Sequence, residues 1–138
     1  MTTSHSLPHL RTTIATPDAP APAGAYAQGV AYGSLLFLAG QGPLAPDGRI
    51  VAEDLPQQLA LCLANLEAVA RAAGTSLRNA LRIGVYLDPG VDMAEYNRAF
   101  AEHFADEPQP VRTTIFSPFP DFDVEVDAIV ALPAGDAG

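Results

Sequence analysis

Arg112 is the side chain whose type and setting first suggest ligand chemistry. It lies in the strand-like run Val111–Phe116, where alternation puts Arg112, Thr114 and Phe116 on one face and Val111, Thr113 and Ile115 on the other. An arginine on a half-covered sheet face calls for a carboxylate, because the planar guanidinium can make two parallel bonds to one. That carboxylate can come from the protein or from a ligand, and an ion pair at a sheet edge is the plainer alternative. The next apolar run, Val124-Glu125-Val126-Asp127-Ala128, carries two acids on one face. A hairpin folded around Pro118–Phe119 sets Arg112 opposite Glu125, with Asp127 as a diagonal neighbour. An anion-gripping cation and a carboxylate able to handle a water then converge.

Other catalytic groups are poorly placed. His5 and His9 fall in the polar N-terminal stretch, and His103 falls late in a helix, where a protonated imidazole complements the helix dipole. No pair of these histidines sits at metal-ligand spacing, so no metal is expected. Ser34, Ser76 and Ser117 stand outside any nucleophile-elbow context. Ala39-Gly40-Gln41-Gly42 lacks the spacing of a phosphate loop. Cys62 is the single cysteine; it sits within an apolar helical stripe and is expected to be a buried structural thiol. Arg71, Arg78, Arg82 and Arg98 are expected on solvated surfaces, and Arg11 and Arg49 near an edge and a turn.

The charge balance removes whole classes of function. All 7 basic residues are arginines, against 16 acids, for a formal net charge of -9. Without lysine, only the chain terminus could form a Schiff base. The acidic balance argues against nucleic acid, and the missing lysine excludes a lysine-rich membrane-surface helix. No apolar run is long enough to span a membrane. Residues 1–10 lack the basic and apolar regions of a signal peptide, so a cytoplasmic protein is expected. Charged residues make up only 17% of the chain, below the usual share of about 25%, which hints at surface covered by other subunits.

The elements that must position these groups follow from periodicity. The 138 residues fit one domain over 10–132, with flexible ends at 1–9 and 133–138. Thr16 to Ala23 is an extended loop fixed by its prolines. A first strand is expected near Leu10–Ala15. A second covers Leu35–Leu38, and Ile50–Val51 resume the chain after a Pro46-Asp47-Gly48 turn. Asp54 and Gln57 start a helix that Gly74 stops, with Leu55, Leu59, Cys62, Leu63, Leu66, Val69 and Ala70 on one face. Leu81, Ile83, Val85 and Leu87 alternate as a strand. A second helix begins at Asp92, carrying Met93, Tyr96, Phe100 and Phe104 on one side. Strands at Val111–Phe116 and from Val124 to about Leu132 close the chain. About six strands and two helices give an α+β sandwich.

Several segments in order resemble those of the Rid family, the reactive intermediate deaminases also called YjgF-type proteins. They are Gly24-Ala25-Tyr26-Ala27-Gln28, Leu38-Ala39-Gly40-Gln41-Gly42-Pro43, Asn65-Leu66 with Ala73-Gly74, Asn97, Pro110-Val111-Arg112-Thr113, and Val124-Glu125-Val126-Asp127-Ala128-Ile129. The resemblance runs from about Ala19 to Leu132. It implies a chorismate-mutase-like fold, with a mixed sheet of about six strands and two helices on one face. It also implies a homotrimer with sites between subunits, and no cofactor. The implied activity is hydrolysis of enamines and imines, such as 2-aminoacrylate and 2-iminopropanoate, to a 2-keto acid and ammonia.

By the same resemblance Arg112 holds the substrate carboxylate and Glu125 positions or activates water. Tyr26, Ala39, Gly40, Thr114 and Phe119 line the pocket. Two departures stand out. Ala39 replaces the usual serine, and Thr114 stands where cysteine is common. The Arg112–Glu125 stretch is about two residues short and rich in phenylalanine (Phe116, Phe119, Phe122), which suggests an aromatic wall and a bulkier substrate. The alternatives are a Rid-fold enzyme of a specialised biosynthetic pathway with its own imine or carbonyl substrate, and a non-catalytic carboxylate-binding or holdase protein. Ribonuclease activity, claimed for some relatives, is the reading the charge least favours.

Overall fold

Two aspartates start the two α-helices that pack on the sheet. A computed structural model describes residues 10–51, 53–106 and 108–133; of the expected flexible ends, 1–9 (with His5 and His9) and 134–138 lie outside them. Helix α1 spans Leu55–Ala72, with Asp54 Oδ1 accepting from the Gln57 amide at 2.9 Å and Pro56 in the first turn. It ends at Ala73, and Gly74 follows at φ +87°, a backbone conformation that costs a side-chain-bearing residue energy. The predicted stripe is buried, Cys62 included. The Cys62 thiol donates to the Val124 carbonyl at 3.6 Å, and burial pushes its pKa far up, as befits a structural cysteine. Helix α2 spans Met93–His103, capped by Asp92 Oδ1 on the Ala94 amide. Tyr96, Phe100 and Phe104 turn inward, with Phe100 and Phe104 stacked at 4.9 Å; Met93, at the first turn, stays exposed.

Both helices cover one face of a six-stranded mixed sheet: β1 (Arg11–Ile14), β2 (Gly29–Tyr32), β3 (Leu35–Gln41), β4 (Ala80–Leu87), β5 (Val111–Phe116) and β6 (Val124–Ala131). The order across the sheet is β1-β2-β3-β6-β4-β5, antiparallel except for the parallel pair β4–β5 that α2 connects. Leu36, Leu38, Ile83, Val85, Leu87, Val124, Val126, Ala128 and Val130 face the helices and form the core. The expected strand at Ile50–Val51 is only an isolated bridge, Leu44 to Ile50. The true second strand is Gly29–Tyr32, too short and glycine-led to stand out in the sequence.

The expected hairpin between residues 111–116 and 124–130 does not form. Strand β4 lies between them, with Ile83 beside Arg112 and Tyr86 beside Glu125. The physical reason lies in composition. β4 buries Ile83, Val85 and Leu87 and belongs in the interior of the sheet, whereas Arg-Thr-Thr suits β5 to an edge. The connection 117–123 is long enough to pass the end of β4. The Ser117 amide bonds the Leu87 carbonyl at 2.8 Å, and the Asp88 amide bonds the Asp123 carbonyl at 2.8 Å.

Buried amides fix the loops around the open face. Gln28 accepts from the Thr16 amide at 2.7 Å and donates to the Thr16, Ala19 and Pro20 carbonyls. Gln58 and Asp123 bond reciprocally, holding the 117–123 loop against α1. Asn65 donates to the carbonyls of Gly42 and Leu44, fixing the chain beyond β3. Each of these groups satisfies backbone that would otherwise be orphaned inside the protein.

Candidate functional site

Strand β3 carries an irregularity where it meets β6. Leu38 pairs with Ala128 and Gln41 with Val126, so Ala39 and Gly40 together stand against Asp127. Such a bulge re-aims side chains and leaves backbone unpaired, and bulges recur beside active sites. Here it brings Gly40 under Glu125. A Cβ on Gly40 would collide with Glu125 Oε2, so glycine is what lets this carboxylate lie across β3.

Glu125 projects from β6 onto the face the helices leave open. It is partly buried and accepts no hydrogen bond among the described residues. Burial first, and then the charge of Asp127, push its carboxyl pKa above the ordinary range. A carboxyl in that state passes a proton more readily near neutral pH than a solvated one. Asp127, two residues on, is engaged instead: Arg82 Nη1 lies 3.1 Å from Oδ1, and the Tyr86 hydroxyl donates to Oδ2 at 2.9 Å. Arg82, expected as a solvated charge, is thus half of an ion pair.

Arg112 lies on the other face. Its partner Ile83 points into the helix-covered core, and its guanidinium sits 4.9 Å from the Tyr96 ring centroid and 4.7 Å from that of Phe100. Nη2 donates to Asn97 Oδ1 at 3.0 Å. No carboxylate among the described residues pairs with it, so it is a held cation with donors to spare. Thr114, on the same face, shares a 2.8 Å hydrogen bond with the Tyr96 hydroxyl. Burial raises the Tyr96 pKa.

The other expected pocket residues are scattered. Tyr26 is exposed in the loop before β2, its hydroxyl accepting from the Ala23 amide at 3.1 Å. Phe119 stacks on Phe122 with centroids 5.0 Å apart, and its amide bonds Asp88 Oδ1 at 3.4 Å; Phe122 in turn packs over Gly42. One chain therefore unites Glu125 with Ala39 and Gly40, and Arg112 with Thr114, but keeps the two groups on opposite faces of the sheet.

Sequence reasoning missed Arg82, Tyr86 and Tyr96. The alternation of β4 held the signal for the first two, since Arg82, Gly84 and Tyr86 share its polar face; pairing that face with the acids of β6 would have found them.

The fold and the sequence as a whole have known counterparts. The model of the Endoribonuclease L-PSP family matches residues 16–132. A RutC family protein of Pyrococcus horikoshii is 38% identical over 123 residues, 87% of this chain and 97% of its own. A protein of Salmonella typhimurium named 2-iminobutanoate/2-iminopropanoate deaminase is 35% identical over 121 residues, 85% of this chain and 94% of its own. Among solved structures, Escherichia coli TdcF with bound serine superposes with a TM-score of 0.79 at 33% identity, covering 87% of this chain and 98% of TdcF. Match, identity and shared architecture agree: the chain belongs to the Endoribonuclease L-PSP family, whose curated members carry RutC and Rid deaminase names.

Proposed function

We propose that this protein hydrolyses reactive 2-imino acids and their enamine tautomers to 2-keto acids and ammonia. The observation that carries the reading is Glu125, a partly buried carboxylate without a hydrogen-bond partner among the described residues, lodged against the bulge at Ala39–Gly40. Arg112 supplies the carboxylate grip. Glu125 takes a proton from water as the water oxygen adds to the carbon of the protonated imine, whose C=N π pair settles on nitrogen. Glu125 passes that proton to the amine of the resulting carbinolamine. The C–N pair then leaves with ammonia as the hydroxyl proton returns to the Glu125 carboxylate; the keto acid remains, and Glu125 hands its proton to the departing ammonia. The Salmonella relative's name supports this chemistry. The family's name speaks of RNA cleavage, but a net charge of -9 and the lack of lysine offer no basic stripe for a polyanion.

The site is built between copies of the chain, as a homotrimer provides. Arg112 and Glu125 lie on opposite faces of one sheet, and the open face exposes Phe37, Val111 and Ile115. An apolar surface of that kind marks an interface. Co-expressing Arg112→Ala with Glu125→Gln subunits tests both points. In a randomly mixed ring, sites pairing an intact Arg112 with an intact neighbouring Glu125 should restore roughly a quarter of wild-type ammonia release. Recovery no greater than that of the two variants measured alone would place both groups in one chain and sink the intersubunit site.

Gly40→Ala gives a second test. Its Cβ must displace the Glu125 carboxylate, a flexible side-chain end, so the fold should survive. Activity on 2-imino acids should nevertheless fall roughly tenfold to a hundredfold through misplacement of the reacting group. A Gly40→Ala enzyme with wild-type kcat and an unchanged thermal midpoint would remove Glu125 from the mechanism.

Ala39 and the stacked Phe119–Phe122 pair favour a second reading, in which the same chemistry serves a specialised imine with a larger apolar side chain. Comparing kcat/KM for imines made from alanine and from phenylalanine separates the two.

A further inference from the structure

On the open face, β4 and β6 lie side by side with Arg82, Gly84 and Tyr86 against Asp127 and Glu125. Asp127 is opposite Gly84, and a Cβ there would strike Asp127 Oδ1 and come within 2.7 Å of Arg82 Nη1. The carboxylate therefore lies flat over the bare glycine backbone, bound at both oxygens. The side chains of Arg82 and Asp127 are 36% and 27% exposed, so the pair is shielded rather than a loose surface contact. Tyr86 is the direct cross-strand neighbour of Glu125, yet its hydroxyl goes to Asp127.

We propose that Asp127, fixed by Arg82 and Tyr86, is a positioning residue for Glu125: it takes the donors that would otherwise tie Glu125 down, and it holds a negative charge beside it. The inference deepens the deaminase reading and rests on it for its catalytic meaning. Glu125 is thereby left free to meet water and inclined to keep a proton. Within one chain the groups around Glu125 are few, and in the proposed trimer the neighbouring copy adds its Arg112. Asp127 comes from β6 and Arg82 and Tyr86 from β4; β3 offers only Ala39 and Gly40. From α1, beneath the sheet, comes Cys62, which burial keeps neutral. Arg82 is paired with Asp127 and offsets part of its charge, so neutralising Arg82 would leave Glu125 beside more of that charge.

The experiment is a carboxyl ¹³C NMR titration of protein labelled at glutamate, with Glu125→Gln identifying the signal, run alongside a pH–rate profile for imine hydrolysis. Asp127→Asn should move the Glu125 midpoint down. Arg82→Gln should move it up, and the acid limb of kcat/KM should follow each change. Midpoints that stay put, or that move the same way in both variants as general loosening would cause, overturn the inference. The NMR result needs no turnover, whereas absence of ammonia release from the wild-type protein would defeat the deaminase reading separately.

Discussion

Arg112→Ala is expected to lower kcat/KM for 2-imino acid hydrolysis by roughly tenfold to a hundredfold, the equivalent of losing a charge-assisted contact of about 1.5–3 kcal/mol. Most of the loss should appear in KM, because the substrate carboxylate is present and held before, during and after water addition. The fold should tolerate the change. Arg112 is exposed on edge strand β5, and its contacts are one hydrogen bond to Asn97 and stacking on Tyr96 and Phe100. Exposed cation–π contacts are worth roughly 0.5–1 kcal/mol, so the thermal midpoint should drop by a few degrees at most. Arg112→Lys keeps the charge and loses the planar fork, and should fall between. An Arg112→Ala protein that releases ammonia at the wild-type rate would mean the carboxylate is held elsewhere.

What the sequence reveals and what it hides divide along a physical line. Features written in local spacing are legible. The Asp54 and Asp92 caps, the Gly74 stop, the buried face of α1 and the alternation of β4 depend on neighbours two to four residues away, and each stands as expected except at Leu81, which a register shift at the start of β4 leaves exposed. Pairing between strands is not local. The proximity of Val111–Phe116 to Val124–Ala131 in the chain suggests a hairpin, but β5 has little apolar surface to bury and takes the edge, while β4, with Ile83, Val85 and Leu87 buried, lies between it and β6. The error matters for the site. In the hairpin, Arg112 and Glu125 meet within one chain; in the sheet as folded, they face opposite ways.

Residue types on a strand can be read from alternation, but their partners cannot. Arg82 reads as an ordinary surface charge until register sets β4 beside β6, where it meets Asp127 across Gly84. Gly40 reads as part of a failed phosphate loop, and its use emerges only from the bulge that brings Glu125 over it. The low share of charged residues goes with exposed Phe37, Val111 and Ile115 on the face the helices leave open.

Glu125→Gln should act on kcat where Arg112→Ala acts on KM. Removal of the group that moves the proton is expected to cost roughly a hundredfold to ten-thousandfold in kcat with little change in KM. The pH profile carries the sharper signature. Burial and then Asp127 raise the Glu125 carboxyl above its ordinary range, so the wild-type acid limb should lie above that of a solvated glutamate. The limb should vanish from whatever rate Glu125→Gln retains. Stability should move the opposite way. A carboxyl whose folded pKa is raised gives its full stabilisation below the unfolded pKa and loses it as pH rises through the folded one. At neutral pH the wild-type protein therefore bears an ionised group that its surroundings disfavour, and Glu125→Gln should be at least as stable there, by thermal midpoint, as the protein it replaces. Near pH 4 that advantage should disappear, because the wild-type carboxyl is then protonated too. A variant both inactive and unstable at pH 7 would mark Glu125 as a structural prop. A variant that is inactive yet equally or more stable would mark it as a residue kept for chemistry at the expense of the fold.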